Sequence, residues 1–334
     1  MMLAILLAAN FACHAQASYT YVRIGSQQDV ATTPSSGFAL MGGGKDLDEA
    51  FQWMCTRANG GDFLVLRAAG DDAYNPYLQS LCRLNSVATL IIPTREASNN
   101  AAVAKIISTA EAIFIAGGDQ ARYINFWDHT PVQQAINEAI RRGVPVGGTS
   151  AGLAVLGEFV YSAQNDPPEG PNLDSVHSLL NPLSPQITLV KNFLDIPLLK
   201  DTITDSHFVK RDRMGRLVTM LARIQTELNR SNHSQRPIHG IGIDEQTAVL
   251  IQRDGKSQVV GKTAAYFLTA ASPPQLLSSN SPLEIKNIDI NKVAIGGSFD
   301  LASWKTSTPA RTSHYALTAS SGKLTSSQQG KAIY

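Results

Sequence analysis

The sequence has almost no net charge, because its 28 lysine and arginine residues are balanced by 27 aspartate and glutamate residues. That balance gives no electrostatic reason to expect nucleic acid or an anionic membrane as a partner. Basic and aromatic residues are not interleaved in any segment, as they are in many nucleic-acid-binding modules. We therefore expect no nucleic-acid partner, and no membrane partner for the mature protein.

Motifs for metals and nucleotides are also missing. No HExxH sequence and no paired CxxC sequences occur, so we expect no catalytic metal and no other cofactor. The glycine-rich segment MGGGKD follows an apolar run, but it fits neither GxGxxG nor GxxxxGK[ST]. A turn between a strand and a helix is the better interpretation of this segment.

Long apolar runs are scarce, and the one at the N-terminus is short. Residues 1–17, MMLAILLAANFACHAQA, end in Ala15-Gln16-Ala17, a small-x-small cleavage pattern, although no positive charge precedes the apolar run. This segment is too short to span a bilayer as a stable helix. We expect a cleaved signal peptide and a secreted or periplasmic protein. The alternative is a buried N-terminal segment.

Cysteine is rare, with three residues in the chain. Removal of the leader would leave Cys55 and Cys82, which an exported protein could pair. Each lies in a segment with helical spacing, and a small buried thiol is the alternative for both. The sequence leaves both possibilities open.

From about residue 37, short apolar runs alternate with helical segments. The strand-like runs are GFALM, DFLVL, VATLIIP, AIFIAGG and VPVGG, and the helical segments include LDEAFQWMCTRA and PVQQAINEAIRRG. Such alternation is typical of parallel strands buried on both faces. We predict an α/β fold with a doubly wound, mostly parallel sheet.

The second half of the chain has a weaker pattern. Residues 160–200 are rich in Pro, Asn and Ser, which suggests loops around a site. The segment from Ile238 to Gly261 is typical of two strands joined by a turn at Asp254-Gly255. We predict a signal peptide over 1–17, an α/β domain over 18–275, and a C-terminal β-rich extension or tail over 276–334.

Glycine turns follow three of the predicted strands, at residues 42–44, 117–118 and 147–148. Open α/β sheets bind their ligands beyond the carboxyl ends of the strands, so these turns should meet at one edge. The last turn continues into Gly148-Thr149-Ser150-Ala151-Gly152, which matches GxSxG between a buried strand and an apolar helical segment. This context favours Ser150 as a nucleophile on a strained turn over a merely structural serine.

A serine nucleophile needs a base, and His207 is the candidate. It lies in ITDSHFVKRDRMGRL, close to Asp205, Arg211, Arg213 and Arg216. Guanidinium groups suit a substrate that carries carboxylates. On one helix Arg211 and Arg213 would lie about 200° apart, so either some arginines are structural or the segment surrounds the ligand. A structural histidine and a solvated basic helix face are the alternatives.

Four segments in this order, FIAGGDQ, GGTSAG, DSHFVKRDRMGRL and GIGIDEQTA, resemble the cyanophycinase branch of the S51 serine peptidases, which are relatives of aspartyl dipeptidase. The resemblance covers about residues 37–270. It implies a three-layer, flavodoxin-like fold similar to class I glutamine amidotransferases, and a homodimer. The leader and the long C-terminal tail resemble those of extracellular members.

The resemblance also implies a set of site residues. Ser150 would be the nucleophile, His207 the general base and Glu245 the acidic residue that orients the imidazole. The backbone N–H groups of Gly118 and Ala151 would form the oxyanion hole. The residues implied for substrate binding are Gln120, Asp205, Ser206, Arg211, Arg213 and Arg216. We expect Glu245 rather than Asp244 on the histidine, because neighbours in a strand point to opposite faces.

The implied substrate is cyanophycin, a polyaspartate that bears arginine on each side-chain carboxyl and is cleaved to β-Asp-Arg dipeptides. The arginines would bind substrate carboxylates and Asp205 a substrate guanidinium. Ser206 departs from the family pattern, since cyanophycinases carry Gln there and use it for substrate contact. A peptidase for short aspartyl or isoaspartyl peptides is therefore the alternative. A second alternative is a catalytically inactive solute-binding protein on the same fold.

Overall fold

In the computed structural model, residues 18–167, 173–232, 236–328 and 333–334 are described. The predicted signal peptide over 1–17 lies outside these residues. The first half of the chain alternates strands and helices: β1 (Thr20–Gly25), β2 (Gly37–Met41), α1 (Asp48–Ala58), β3 (Asp62–Arg67), α2 (Tyr74–Leu81), β4 (Ser86–Ile91), α3 (Arg95–Ser98), α4 (Ala101–Ser108), β5 (Ala112–Ile115), α5 (Gln120–Trp127), α6 (Pro131–Arg142), β6 (Val146–Thr149) and α7 (Ala151–Ala154).

The second half contains mostly strands. Its elements are β7 (Phe159–Tyr161), α8 (Ser175–Leu180), β8 (Leu189–Lys191), β9 (Thr202–Asp205), α9 (Met214–Asn232), β10 (Ile238–Ile243), β11 (Thr247–Gln252), β12 (Lys256–Gly261), β13 (Ala264–Ala270), β14 (Ile285–Ala294), β15 (Ser298–Asp300), β16 (Lys305–Thr306), β17 (Thr312–Ser320) and β18 (Lys323–Ser326). In the described part of the chain, no helix combines the length and the apolar character that a membrane crossing needs.

The first sheet has the strand order β1-β4-β3-β5-β6-β2-β11-β12-β15-β16. Its centre, from β4 to β2, is parallel throughout, and β1 and β11 flank it as antiparallel neighbours. Alternate residues of β3 face opposite sides: Phe63 and Val65 pack with α1 and α2, whereas Leu64 and Leu66 pack with α4, α5 and α6. Helices thus cover both faces, and the predicted doubly wound α/β fold is confirmed.

A second sheet has the order β18-β17-β14-β13-β10-β9-β7-β8 and is mostly antiparallel. One of its faces joins the core of the first layer through residues such as Ile241 and Phe267. The other face packs under α9, with Leu217 and Leu221 in the contact. The sheet begins at residue 159, well before the predicted C-terminal extension. The proposed division at residue 275 falls between β13 and β14, which pair with each other.

One predicted element is divided in the structure. The sequence suggested one strand up to the Asp254-Gly255 turn, but in the structure this strand is interrupted at residues 244–246. There it leaves β10 in the second sheet and enters β11 in the first. Gln246 takes a φ of 55°, and its N–H donates to the carbonyl of Gly43 at 2.8 Å. A hydrogen bond to a residue far away in the sequence therefore stabilises this interruption of the strand, and the local sequence does not predict it.

Cys55 and Cys82 form a disulfide, with a Cα–Cα distance of 6.0 Å. Cys55 lies in α1, and Cys82 directly follows α2. The bond joins the C-terminal ends of two helices that cover the same face of the first sheet.

Candidate active site

The glycine turns after the parallel strands gather at one edge of the first sheet. Ser150 follows β6, Gly118 comes shortly after β5, and residues 42–44 follow β2. The second sheet contributes to the same edge, because His207 comes just after β9 and Glu245 just after β10. The site therefore lies where the carboxyl ends of strands from both sheets meet.

Ser150 occupies the strained turn between β6 and α7. Its backbone has φ 53° and ψ −112°, a combination that residues other than glycine rarely adopt. The turn is tight because Gly152 packs against the end of β5, where an added Cβ would lie 1.9 Å from the carbonyl oxygen of Ile115. This close approach explains the glycine after the serine. Helix α7 has only four residues, shorter than the helix that the sequence suggested.

A continuous hydrogen-bond chain joins the three predicted catalytic side chains. The Ser150 hydroxyl lies 2.7 Å from Nε2 of His207, and Nδ1 of His207 lies 2.7 Å from Oε1 of Glu245. With the proton on Nδ1, the imidazole donates to Glu245 and accepts from Ser150. This is the geometry of a nucleophile, a base and an orienting acid.

The backbone around His207 holds the imidazole in place. Its N–H donates to the carbonyl of Gly42 at 2.7 Å, and its own φ is 46°. Gly43 faces the ring so closely that an added Cβ would lie 2.5 Å from Cε1 and 2.6 Å from Nε2. The glycines after β2 therefore make room for the base.

Burial lowers the pKa of His207 below 6.5, and the positive charges of Arg211 and Arg213 lower it further. The hydrogen bond to Glu245 opposes this shift but does not overcome it. A lowered pKa keeps the imidazole neutral at pH 7, which is the form that can accept the serine proton.

Glu245, and not its neighbour Asp244, contacts the histidine. The Asp244 carboxylate instead accepts hydrogen bonds from the N–H groups of Val209 and Lys210, both at 3.0 Å. Asp244 thus fixes the turn that follows His207. The two carboxylates diverge because the chain changes sheets at this point, and not because they alternate along one strand.

Gly118 and Ala151 lie beside the serine, in the same cavity. Ala151 is the first residue of α7, so its N–H has no acceptor within the helix. Gly118 has a φ of 152°, and an added Cβ would come no closer than 3.5 Å to any described neighbour. Both N–H groups remain candidates for an oxyanion hole.

The cavity has a volume of about 470 Å³. Of the residues predicted for substrate binding, five line it: Gln120, Ser206, Arg211, Arg213 and Arg216. Asp205 lies behind this wall, and its carboxylate is occupied by Arg216, which donates from Nε at 3.0 Å and also from Nη2. The expected role of Asp205 in binding a substrate guanidinium is therefore not supported by its position. Asp205 neutralises a buried arginine instead.

The three arginines have different surroundings. Arg211 is exposed in the turn before α9, whereas Arg213 and Arg216 are buried. Arg213 donates from Nη1 to the carbonyl of Ser206 at 2.8 Å, and its Nε has no hydrogen-bond partner in the described structure. Burial and the neighbouring Arg216 lower the pKa of Arg213. Arg213 is thus a buried cation beside the cavity, with one buried nitrogen that has no described hydrogen-bond partner.

Sequence reasoning missed one wall of the cavity. Ala163, Gln164, Asp166 and Pro167 line it from the loop after β7. No motif marks this loop, and the Pro/Asn/Ser-rich composition of residues 160–200 was the only signal that pointed there.

Comparison with known proteins gives a consistent result. The sequence model of peptidase family S51 matches residues 40–259. Cyanophycinases from Trichormus variabilis and from a Nostoc species are each 31% identical to the chain over 221 residues, 64% of this chain and 65% of theirs. The chain thus spans slightly less than two thirds of their length. The cyanophycinase of Synechococcus elongatus is 27% identical over 262 residues, 74% of this chain and 72% of its own.

Two solved structures are also similar. A peptidase from an acI-B1 Actinobacterium has 19% identity and a TM-score of 0.47, over 72% of this chain and 96% of its own. A putative peptidase E protein from Listeria monocytogenes has 17% identity and a TM-score of 0.42, over 68% of this chain and 98% of its own.

Proposed function

The chain belongs to peptidase family S51, and we propose that it is an exported serine exopeptidase that cleaves cyanophycin to β-Asp-Arg dipeptides through an acyl-enzyme on Ser150. The observation that carries this proposal is the hydrogen-bond chain from Ser150 through His207 to Glu245 at a cavity lined by arginines. The similarity to proteins named cyanophycinase supports the substrate.

The reaction would proceed in two halves. His207 Nε2 takes the hydroxyl proton while Ser150 Oγ bonds to a main-chain carbonyl near a chain end of the substrate. The N–H groups of Gly118 and Ala151 stabilise the oxyanion, and Glu245 stabilises the imidazolium. The C–N bond then breaks as His207 gives its proton to the leaving amine. A water molecule next hydrolyses the ester, with His207 again as the base, and Ser150 regains its proton.

Purified mature protein incubated with insoluble cyanophycin tests the substrate. Solubilisation of the polymer with β-Asp-Arg as the product supports the proposal. Cleavage of short aspartyl or isoaspartyl peptides alone, with the polymer left intact, supports the second candidate. That candidate is favoured by Ser206, which lines the cavity with a shorter side chain than the Gln of cyanophycinases.

Substitution of the nucleophile tests the chemistry. Ser150→Ala is expected to lower kcat at least about a thousandfold, because in the described structure no other hydroxyl is hydrogen-bonded to His207. A variant that cleaves the preferred peptide as fast as the parent would instead fit a ligand-binding protein.

Export rests on the N-terminal leader, and the Cys55–Cys82 disulfide supports it, since disulfides persist mainly in oxidising compartments. Recovery of the protein from the periplasm or medium, with its N-terminus just after Ala17, tests this part of the proposal. A homodimer is proposed from the family resemblance, and light scattering of the mature protein tests it.

A further inference from the structure

Two carboxylates near the cavity, Asp205 and Asp166, differ in how many cationic partners they have. Asp205 is 2% exposed and is bound by Arg216 through two nitrogens, while its Oδ1 also accepts from the N–H of Ser206 at 2.9 Å. Nη1 of Arg213 lies a further 3.6 Å from the same oxygen. The carboxylate of Asp205 therefore has no free side for a substrate cation.

Asp166, unlike Asp205, lies in the lining of the cavity. It lines the same cavity as Ser150 and is partly exposed. Its Oδ1 accepts a hydrogen bond from the Tyr161 hydroxyl at 2.5 Å. Among the described residues no lysine, arginine or histidine lies within ion-pair distance of Asp166, although its charge helps to raise the pKa of Arg216. The second oxygen of Asp166 therefore has no described hydrogen-bond or ion-pair partner.

The position of Asp166 is fixed by buried neighbours. Tyr161 is 2% exposed at the end of β7, and the guanidinium of Arg216 lies 4.8 Å above its ring. The loop between Tyr161 and Asp166 is held by the Ser162 hydroxyl, which donates to Oγ1 of Thr188 at 2.8 Å. The N–H of Asp166 donates to the carbonyl of Ala163 at 3.1 Å. A carboxylate held in this way loses little conformational entropy when it binds a ligand.

We propose that Asp166 is the specificity-determining residue that recognises a guanidinium on the substrate, in the cavity whose arginines receive the substrate carboxylates. The proposal rests on the proposed function, because it specifies which group of an arginine-bearing substrate binds where. A β-Asp-Arg unit carries both a guanidinium and free carboxylates, so it needs an anionic wall as well as a cationic one. Asp166 and Arg213 are an anion and a cation that both line this cavity. A carboxylate and a guanidinium form hydrogen bonds in which both partners are charged. A neutral ureido group can still donate hydrogen bonds to the carboxylate, but the attraction between opposite charges is lost.

A cycle of enzyme and substrate substitutions tests this assignment. Short oligomers of β-Asp-Arg are compared with oligomers in which citrulline, a neutral analogue of the same shape, replaces arginine. Asp166→Asn is expected to lower kcat/KM for the arginine oligomer roughly 10- to 100-fold, and for the citrulline oligomer by less than about threefold. The carboxamide of this variant can still accept the Tyr161 hydrogen bond, so the fold should be retained. Asp166→Glu should keep most of the preference for arginine.

The matched control is Asp289→Asn, which removes a half-exposed carboxylate that contacts His314 on β17, outside the cavity. It should change neither substrate's kcat/KM. Equal losses on both oligomers in Asp166→Asn, or no loss on either, would overturn the assignment.

A binding measurement separates this inference from the proposed activity. In a Ser150→Ala background, calorimetry compares the Kd values of β-Asp-Arg and β-Asp-citrulline with and without Asp166→Asn. An arginine preference that disappears in Asp166→Asn supports the assignment even if the parent cleaves neither oligomer. Cleavage by the parent with the same Kd ratio in both backgrounds would support the peptidase and refute the role of Asp166.

Discussion

At the scale of single residues, the proton affinity of His207 is set by opposing neighbours. Burial, Arg211 and Arg213 lower the pKa, and Glu245 raises it, with a net lowering below 6.5. The same arginines that face the cavity thus also keep the base unprotonated. The arginines proposed to bind the substrate therefore also influence the proposed base.

The pH dependence of kcat/KM should show the effect of the arginines on the pKa of His207. Because only the neutral imidazole accepts the serine proton, kcat/KM should rise with pH through the pKa of His207, and its midpoint should lie below 6.5. Arg211→Gln removes a positive charge that lowers this pKa, so it should move the midpoint upward. Rates measured from about pH 4 to pH 9 check both expectations. A midpoint above 6.5, or one that does not move in Arg211→Gln, would contradict the charge argument.

Two adjacent carboxylates offer a matched pair of substitutions. Glu245→Gln should lower kcat roughly 10³- to 10⁴-fold, because the amide can hold the wrong tautomer of His207 and cannot stabilise the imidazolium. Asp244→Asn should cost less than about tenfold, since its side chain still accepts from the turn after His207. Steady-state kinetics of the two variants give the comparison. Similar losses in both would mean that Glu245 only supports the fold.

At the scale of elements, the candidate catalytic residues come from two different sheets. Ser150 follows β6 of the first sheet, and His207 follows β9 of the second. Glu245 lies where the chain crosses from β10 to β11. The turn after β2 lies against His207 and bonds to Gln246, so it holds the two sheets in register at the site.

The substitution Gly43→Ala should therefore lower activity more than it lowers the stability of the fold. The new Cβ would lie 2.5 Å from the imidazole at a φ of 100°, so His207 must move away from Ser150. We expect kcat/KM to fall about a hundredfold or more, as for other displacements of about 1 Å at catalytic groups. Gly60→Ala is the control, because Gly60 also has positive φ, at 76°, but no atom within 4 Å of the added Cβ. It should lose about 1 kcal/mol of stability and keep its activity. Thermal melting and kinetics of both variants distinguish these outcomes.

The parallel core could be predicted from sequence because buried parallel strands are short apolar runs between amphipathic helices. The break at residues 244–246 could not, since it contains no Gly or Pro and depends on a hydrogen bond between Gln246 and the distant Gly43. The second sheet was missed because its strands are separated by loops and by α9. In such segments pairing partners are set by tertiary contacts and not by local periodicity.

The candidate triad could be predicted because its residues lie in ordered, recognisable motifs. The environment of Asp205 could not, since its pairing with Arg216 depends on how the first turn of α9 packs against β9. Asp166 had no signal beyond the composition of its loop. Motifs thus located the three side chains of the candidate triad, whereas the pairing of Asp205 with Arg216 could be seen only in the three-dimensional structure.

At the scale of the whole molecule, the Cys55–Cys82 disulfide links two helices outside the cavity. It closes a loop with a sequence separation of 27, so it restricts the unfolded chain. Its contribution should be to the stability of the fold and not to the chemistry.

Replacement of both cysteines by alanine should lower the free energy of unfolding by about 3 to 4 kcal/mol. The corresponding fall in Tm is about 10 °C for a domain of this size. Calorimetry in the presence and absence of a reductant checks the cause: the reductant should destabilise the parent and leave the double variant unchanged. Activity at about 25 °C should be retained in the double variant. A parent protein insensitive to the reductant would contradict the assigned bond.

The crossing of the chain at residues 244–246 also makes the candidate site depend on both sheets. Neither sheet alone brings Ser150, His207 and Glu245 together, so the hydrogen-bond chain exists only when both sheets have formed. Activity can begin only after β10 and β11 have entered their separate sheets. Any treatment that separates the two sheets should therefore abolish the hydrogen-bond chain even if each sheet keeps its own secondary structure.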